Sequence, residues 1–341
     1  MIDASWLTGL LRDSGALDGG SSVASVRVRA TDAFNSATVF ARVTYRGPAL
    51  PALPTRLVIK RPSSAEWSRA AAVVEANFYR HLATVPSHPL VVPACLAATD
   101  DCLVLADLSA THAAPVTRAE TIVLAGVPTM DALDSAVDTL AALHSYWWRR
   151  DPDPFPVATW WGTAAEFDAY ARHRREAWDR VATDVPAPAR SVYSYVFSRL
   201  DRFGARLLSR RSGPLTLVHG DAYLSNFLVP TASPGLGVLL DWQSPSVDIG
   251  ALDLANMCAT FWTREQRREH EERVLRRYHA ALGVPDYPYE DLLADYRIGV
   301  ADWLLVPVQD AADGSRRDYW LPKMSCLLDA FADHGAASLF D

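Results

Sequence analysis

Residues 215–229 of this chain read LTLVHGDAYLSNFLV, and residues 237–243 read GVLLDWQ. In both stretches a short apolar run, of the kind that forms a buried strand, leads into polar residues. The polar residues of interest are Asp221, Asn226 and Asp241. Both stretches are therefore predicted to present polar side chains at the ends of buried strands.

The linking segment 230–235 contains two prolines and a glycine, a composition that predicts the turn of a hairpin. Pairing of the flanking strands would bring Asp241 beside the loop that carries Asp221 and Asn226. A carboxylate, an amide five residues later and a second carboxylate are the groups needed to hold a magnesium–nucleotide complex beside a nucleophilic hydroxyl. The pattern therefore predicts phosphoryl transfer.

The composition indicates a globular protein whose partner is a small molecule. The 341 residues are 50% hydrophobic and suffice for one bilobal enzyme or two domains. The net charge of −7 and the lack of a long basic run give no electrostatic reason to bind nucleic acid or an anionic membrane. No apolar stretch approaches the roughly 20 residues that span a bilayer, and the first residues do not resemble a secretory signal. We therefore expect a cytoplasmic monomer or homodimer.

The four cysteines are scattered along the chain and lack C-x-x-C spacing. Neither a zinc site nor a disulfide framework is indicated by such a distribution. We predict that they are buried free thiols.

Lysine is rare in this chain, which has two lysines, Lys60 and Lys323, against 31 arginines. A lysine kept in such a chain suggests a task that a planar guanidinium cannot perform. Lys60 ends the β-type run 55–59, the setting in which kinases place a phosphate-binding lysine. Glu75 follows on a predicted helix over 65–82, next to its apolar stripe, and could pair with Lys60. An edge-strand lysine and an ordinary helix carboxylate are the alternative interpretation.

The N-terminal third of the chain has a β pattern. Alternation over 23–29 and 38–45 predicts a hairpin whose turn would cover the nucleotide. That turn contains no glycine, so any phosphate contact would come from backbone amides or from side chains such as Asn35 and Ser36. Further strands are predicted at 90–93 and 102–105, and further helices at 131–148, 166–180, 191–208, 252–261, 264–282 and 289–306.

The change from β-like to mostly helical patterning predicts the domain organisation. Residues 1–105 would form an N-terminal nucleotide-binding lobe, and residues 109–341 a C-terminal catalytic and substrate-binding lobe. A hinge at about 103–108, which includes Leu105 and Asp107, would read the adenine edge through its backbone. Because such reading is mostly by backbone groups, ATP and GTP both stay possible donors.

Six motifs in order along the chain together carry a family resemblance. They are Val58-Ile59-Lys60, Glu75-Ala76-Asn77-Phe78-Tyr79, Leu103 to Leu108, Leu140 to His144, His219-Gly220-Asp221 with Asn226, and Asp241-Trp242-Gln243 to Asp253-Leu254-Ala255. With these motifs the chain resembles the aminoglycoside phosphotransferase and choline kinase-like small-molecule kinases. In motif style it most resembles the ecdysteroid kinase-like branch of that group.

The resemblance implies a fold and a role for each matching residue. The fold would be α+β and bilobal, like that of protein kinases, with a small β-rich N-lobe and a larger, mainly helical C-lobe. ATP or GTP would be the donor and Mg²⁺ the metal. The implied roles are the following: Asp221 orients or deprotonates the acceptor hydroxyl, Asn226 and Asp241 ligate Mg²⁺, Lys60 contacts the phosphates, Glu75 anchors Lys60, His219 braces the loop, and Asp248 and Asp253 are structural.

The acceptor is predicted to be a small molecule rather than a protein. Gly220 occupies the position of the arginine that receives a phosphorylated activation loop in protein kinases, and the path from Asp241 to the next predicted helix is short. An antibiotic, a sugar or a nucleoside-like natural product would fit a helical pocket containing tryptophans. Acidic residues such as Asp302, Asp310 and Asp313 would either attract a cationic aminoglycoside or form a solvated rim.

Two other classes of function are weighed against this one. A catalytically silent kinase-like module would bind nucleotide or a partner, but it has no need of Lys60, Glu75, Asp221, Asn226 and Asp241 together. A different transferase or a hydrolase has no local support, because nucleophile-elbow, zincin and Rossmann motifs are missing from the sequence.

Overall fold

The structure is a computed structural model that describes residues 2–30, 36–47, 53–85, 87–89, 91–149 and 163–341. The helices are α1 (Ala4–Asp13), α2 (Glu66–Leu82), α3 (Arg118–Ile122), α4 (Met130–Trp147), α5 (Ala164–Val181), α6 (Ala187–Ser198), α7 (Leu200–Arg210), α8 (Ala251–Ala259), α9 (Arg264–Leu282), α10 (Tyr289–Trp303), α11 (Val306–Ala312) and α12 (Arg317–Asp333). The strands are β1 (Ser22–Ala30), β2 (Ser36–Arg46), β3 (Arg56–Pro62), β4 (Cys95–Thr99), β5 (Cys102–Ala106), β6 (His112–Ala113), β7 (Thr216–Val218), β8 (Phe227–Pro230), β9 (Val238–Leu239) and β10 (Ser246–Asp248).

The chain packs as two compact units. Unit 1 contains the described residues up to Ala113 together with Val238–Ser244, and unit 2 contains the remaining described residues. None of the helices in the described part of the chain has the length and hydropathy needed to span a bilayer.

Unit 1 is built on a five-stranded antiparallel sheet with the order β1-β2-β3-β5-β4. Successive side chains of a strand point to opposite faces, and β3 uses this alternation fully. Its Leu57 and Ile59 are completely buried in one apolar cluster with Leu7 and Leu11 of α1. Lys60 is the next residue and points to the other face. The sheet therefore sets the lysine apart from the apolar core.

The structure confirms most of the strands and helices predicted from sequence in this unit. The predicted hairpin forms as β1 and β2, which are antiparallel, and β3, α2 and β5 form with small changes at their ends. The strand predicted at 90–93 is wrong, because residues 91–93 are not in a strand and β4 begins at Cys95. Pro89 and Pro93 bracket this run, and proline lacks the N–H that a ladder requires.

The thiol prediction needs one correction. All four cysteines are free, and Cys102, Cys258 and Cys326 are buried. Cys95, however, is exposed. It begins β4, the outer strand of the sheet, where a side chain has fewer neighbours to cover it.

Unit 2 is mainly helical and is centred on α8, all nine residues of which are buried. Helix α10 packs against α8, and α4 packs against α9. The short strands β7 and β10 pair antiparallel, with Val218 opposite Ser246. The predicted helix over 191–208 is divided into α6 and α7 at Arg199, whose φ of −125° and ψ of 15° are not helical. The central helix α8 therefore lies next to the end of β7, and His219 is the first residue after that strand.

Helix α7 contains a glycine that close packing requires. A Cβ atom at Gly204 would lie 1.9 Å from Cε1 of the buried Phe167 on α5. We expect Gly204→Ala to lower the free energy of unfolding by about 1–3 kcal/mol through overpacking, as measured by urea denaturation. The matched control is Gly9→Ala on α1, where a Cβ meets nothing within 4 Å and the better helix propensity should add up to about 1 kcal/mol. Equal stability of Gly204→Ala and the parent protein would contradict the packing described.

Candidate active site

One group of candidate site residues is an ion pair within unit 1. Lys60 Nζ lies 2.7 Å from Oε2 of Glu75, and it also donates a hydrogen bond to Asp241 Oδ1. Glu75 is 3% exposed, on the buried face of α2. The structure thus forms the Lys60–Glu75 pair that the sequence suggested and adds Asp241 to it. One ammonium is held between two carboxylates.

The pKa shifts of this group follow from burial and charge. Burial lowers the pKa of Lys60, but the charges of Glu75 and Asp241 and its hydrogen bonds to them outweigh that effect and raise the pKa above its ordinary value. Burial raises the pKa of Glu75, and the attraction of Lys60 opposes but does not cancel that rise. Lys60 is therefore positively charged at neutral pH, which a phosphate-binding role requires.

Asp241 is held by its own short turn. Its φ of +66° is the left-handed region, which aspartate tolerates better than most residues. Gln243 donates to its carboxylate through Nε2. The intervening Trp242 is fully buried, stacks on Phe78 of α2 at 3.9 Å with an interplanar angle of 8°, and donates from Nε1 to the carbonyl of Leu239. This stacking fixes the turn against the helix that carries Glu75.

The predicted hinge residues lie on and just after β5. Leu105 pairs with Val58 of β3 and is 7% exposed. Asp107 uses its backbone N–H to bond the carbonyl of Arg56, and its carboxylate accepts from Arg56 Nε at 3.0 Å and from the backbone N–H of Ser109 at 2.8 Å. Burial raises the pKa of Asp107, but these hydrogen bonds outweigh it and lower the pKa overall. Asp107 therefore braces the segment after β5 with its side chain.

The two remaining residues predicted to bind nucleotide are Asn35 and Ser36. Asn35 is outside the described residues. Ser36 begins β2 opposite Pro62, and its side chain is also outside what the structure describes. Thr38 pairs with Lys60 across β2 and β3, so this end of the hairpin lies beside the lysine.

Another group of candidate site residues lies on the loop after β7 within unit 2. Gly220 has a φ of +75°, which favours glycine over any residue with a Cβ. Asn226 Nδ2 donates to the backbone carbonyl of Asp221 at 2.8 Å and to its Oδ2 at 3.1 Å. The backbone N–H of Tyr223 also donates to the Asp221 carbonyl, at 2.9 Å. The structure therefore brings Asp221 and Asn226 into direct contact.

The buried carboxylate of Asp253 holds the backbone of this loop. Asp253 of α8 accepts the backbone N–H of His219 at 2.6 Å and that of Gly220 at 2.9 Å. His144 Nε2 lies 3.2 Å from the same carboxylate, and its Nδ1 lies 2.7 Å from the hydroxyl of Tyr278. Because a carboxylate only accepts, His144 donates from Nε2 to Asp253. The side chains of Asp253, His144, Tyr278 and His219 are all completely buried.

Sequence reasoning identified Asp253 as structural but missed His144 as its partner and Tyr278 as the partner of His144. Each lies on a helix stripe that would equally suit a core residue. The signal that could have found them is a polar side chain on an otherwise apolar helix face: His144 on α4 and Tyr278 on α9.

Each of the two residues predicted to ligate Mg²⁺ carries a donor atom that suits this ion. Asp241 offers carboxylate oxygen and Asn226 offers amide oxygen, the hard ligands that Mg²⁺ prefers. In the described part of the chain, no three His, Cys, Asp or Glu side chains cluster around a common point as a metal cage. A nucleotide-bound Mg²⁺ needs only one or two carboxylates, because phosphates and waters complete its coordination.

Comparison with known families decides the classification of the chain. The model of a family described as "Phosphotransferase enzyme family" matches residues 30–293. The chain belongs to this family. No curated protein matches it in sequence.

Solved structures of other kinases share the fold of this phosphotransferase family member. A candidate aminoglycoside phosphotransferase from Ralstonia eutropha is 13% identical, with 99% of both chains covered and a TM-score of 0.60. Choline kinase from Cryptosporidium parvum is 11% identical, with 99% of both chains covered and a TM-score of 0.56. The aminoglycoside phosphotransferase APH(2″)-IIa, in complex with streptomycin and ATP, is 14% identical, with 97% of this chain and 96% of that chain covered and a TM-score of 0.56.

These comparisons confirm the predicted family and the predicted α+β, protein-kinase-like fold, with its β-sheet N-terminal region and helical C-terminal region. The family match also confirms the prediction of a phosphotransferase enzyme. The closer likeness to the ecdysteroid kinase-like branch stays a prediction.

The support beneath the loop can be tested with Asp253→Asn. An asparagine has one acceptor oxygen, so its amide N–H₂ would face a backbone N–H that Asp253 now satisfies. We expect the free energy of unfolding to fall by about 1–3 kcal/mol, with faster amide hydrogen exchange at residues 219–221. Asp201→Asn is the control, because Asp201 is an exposed partner of Arg175 and should change stability by at most about 1 kcal/mol. Unchanged exchange in Asp253→Asn would contradict the supporting role.

Proposed function

We propose that this phosphotransferase transfers the terminal phosphoryl group of ATP or GTP to a hydroxyl group of a small molecule, with Mg²⁺ as the metal. The observation that carries the proposal is the Lys60 ammonium held between Glu75 and Asp241. Two carboxylates around one lysine keep it charged and oriented, as phosphate binding requires. The contact between Asp221 and Asn226 on the loop after β7 supports the same conclusion.

Each residue has a proposed part in the reaction. Asp221 accepts the proton of the acceptor hydroxyl as the hydroxyl oxygen bonds to the terminal phosphorus. The bond between that phosphorus and the bridging oxygen breaks, and the nucleoside diphosphate leaves with the electron pair. Lys60 holds the phosphates in line and offsets their charge, and Glu75 orients Lys60. Mg²⁺ held by Asn226 and Asp241 would supply further charge neutralisation on the phosphates.

Recognition of the nucleotide base is proposed to occur at the hinge of about 103–108, between a nucleotide-binding lobe of residues 1–105 and a substrate-binding lobe of residues 109–341. The backbone N–H of Asp107 is engaged by Arg56, so other backbone groups near Leu105 would read the base. Backbone recognition favours neither ATP nor GTP strongly. Asn35 and Ser36 are proposed as additional phosphate contacts.

The proposed acceptors are antibiotics, sugars or nucleoside-like natural products that carry a hydroxyl. Relatives of known structure act on or bind quite different hydroxyl compounds, since one is a choline kinase and another is in complex with streptomycin. The fold therefore does not identify the acceptor.

Asp221→Asn tests the reaction. The variant should lose about 10²–10⁴-fold in turnover, because general-base catalysis typically contributes that much, while Mg-ATP binding measured by calorimetry stays close to the parent value. Turnover is measured as ADP or GDP release across a library of hydroxyl compounds, and mass spectrometry locates the added phosphate. Asp179→Asn, an exposed carboxylate on α5, is the control and should retain full activity.

Near-normal phosphorylation by Asp221→Asn would overturn the assignment of Asp221. Mg-ATP binding by the parent protein without a product from any hydroxyl compound would favour a silent nucleotide-binding module instead.

Lys60→Met tests the nucleotide half of the site. Loss of the ammonium removes charge-assisted contacts to phosphate, so Mg-ATP affinity should fall by about 10–100-fold as measured by calorimetry. Arg80→Met on the same unit is the control, because Arg80 is exposed and pairs with Asp100. Equal affinities of Lys60→Met and the parent would remove Lys60 from the proposed phosphate site.

A further inference from the structure

The second lysine of the chain lies in an aromatic cage. Lys323 on α12 is 1% exposed. Its Nζ lies 4.8 Å from the ring centroid of Tyr319, 5.2 Å from that of Tyr223 and 5.6 Å from that of Phe261. Each distance is within the range in which a ring attracts a cation.

The same ammonium has a carboxylate partner. Asp310 of α11 accepts from Lys323 Nζ at 2.9 Å. Burial lowers the pKa of Lys323, but the charge of Asp310, with further contributions from Tyr319 and Asp221, outweighs it and raises the pKa. The lysine is therefore a charged group in a buried place, and three rings and one carboxylate compensate for its lost hydration.

The cage belongs to the loop that carries Asp221. Tyr223 is two residues beyond Asp221 and donates its backbone N–H to the Asp221 carbonyl at 2.9 Å. The Tyr223 ring meets Phe261 edge-on at 5.2 Å. A ligand bound in this cage would thus share a wall with the segment that is proposed to act on the acceptor hydroxyl.

The other acidic residues of this region offer little to a cationic ligand. Burial raises the pKa of Asp302 to about 6, and Arg174 opposes that rise; the carboxylate also accepts from Tyr170 at 3.2 Å. Asp313 accepts from Gln309 on the surface. With Asp310 paired to Lys323, the three carboxylates considered in the sequence as attractors of a cation each already accept a hydrogen bond within the protein.

Aromatic rings together with a carboxylate are the chemistry that binds an ammonium ligand. Here a side chain of the protein itself supplies the ammonium. We propose that Lys323 is a tethered cation that fills the ammonium subsite beside the Asp221 loop, so that the acceptor is a neutral or anionic hydroxyl compound rather than a cationic one. The statement about the acceptor rests on the proposed phosphotransferase function, whereas the filled subsite does not.

The subsite is tested first by ligand binding, without activity. Lys323→Ala should be less stable than the parent, and propylammonium should raise its melting temperature in a saturable way, because the free amine can replace the lost side chain. 1-Propanol, which is the neutral analogue, should not. The parent protein, whose cage is filled, should respond to neither compound at matched ionic strength.

Two further variants make this result specific. Met324→Ala opens an apolar cavity at the neighbouring buried position and should show no preference for the amine over the alcohol. Lys323→Ala with Asp310→Asn should lose most of the response to propylammonium, because the carboxylate anchor is gone. Absence of an amine preference in Lys323→Ala, or an equal preference in Met324→Ala, would overturn the proposal.

The acceptor class is tested by turnover with a matched pair of alcohols. Choline and 3,3-dimethylbutan-1-ol have the same shape and differ in one positive charge. The parent enzyme should phosphorylate the neutral alcohol in preference to choline, and Lys323→Met, which keeps the volume and should fold, should shift the ratio of kcat/KM toward choline by about 10-fold. A parent enzyme that prefers choline, or a ratio unchanged in Lys323→Met, would overturn the acceptor class.

The experiments distinguish failure of the proposed function from failure of the filled subsite. Amine rescue of Lys323→Ala without phosphorylation of any hydroxyl compound would count against the proposed function and would still support the filled subsite. Phosphorylation of hydroxyl compounds without amine rescue would support the proposed function and would overturn the filled subsite.

Discussion

An ammonium that is mostly removed from water must be paired, and in unit 1 this constraint organises the residues around Lys60. Removing an ion from water costs several kcal/mol unless partners replace its hydration. Glu75 and Asp241 are those partners, and each is in turn fixed by packing: Glu75 by the buried face of α2, and Asp241 by a turn in which Trp242 stacks on Phe78. The apolar face of β3 anchors the strand on the other side. The lysine is therefore held charged and oriented by side chains of the protein itself.

Unit 2 satisfies a second buried charge in a different way. Asp253 is completely buried, and backbone N–H groups of His219 and Gly220 with His144 surround it. The carboxylate thereby fixes the backbone from which Asp221 extends, and Gly220 provides the left-handed turn that the path requires. Preorganisation of this kind limits the rearrangement needed when substrate binds.

The third charge, Lys323, is buried in unit 2 and is paired there with Asp310. The ammonium of Lys323 fills the aromatic cage, and Asp310 forms its ion pair with that ammonium. On the proposed function, the charge of this subsite is therefore set by one residue on α12, Lys323.

The sequence alone predicted the hairpin, β3, α2 and the loop after β7, because alternation, helical periodicity and glycine and proline positions are local properties. It predicted the Lys60–Glu75 pair because both residues lie on strongly patterned elements. Local pattern failed at 90–93, where prolines interrupt an apolar run, and at Arg199, where a continuous helical pattern is divided. The contacts of Asp253 with His144 and of Lys323 with Tyr223 join residues 109 and 100 positions apart. Only the tertiary structure decided them, because side chains so distant in sequence meet only after the helices have packed.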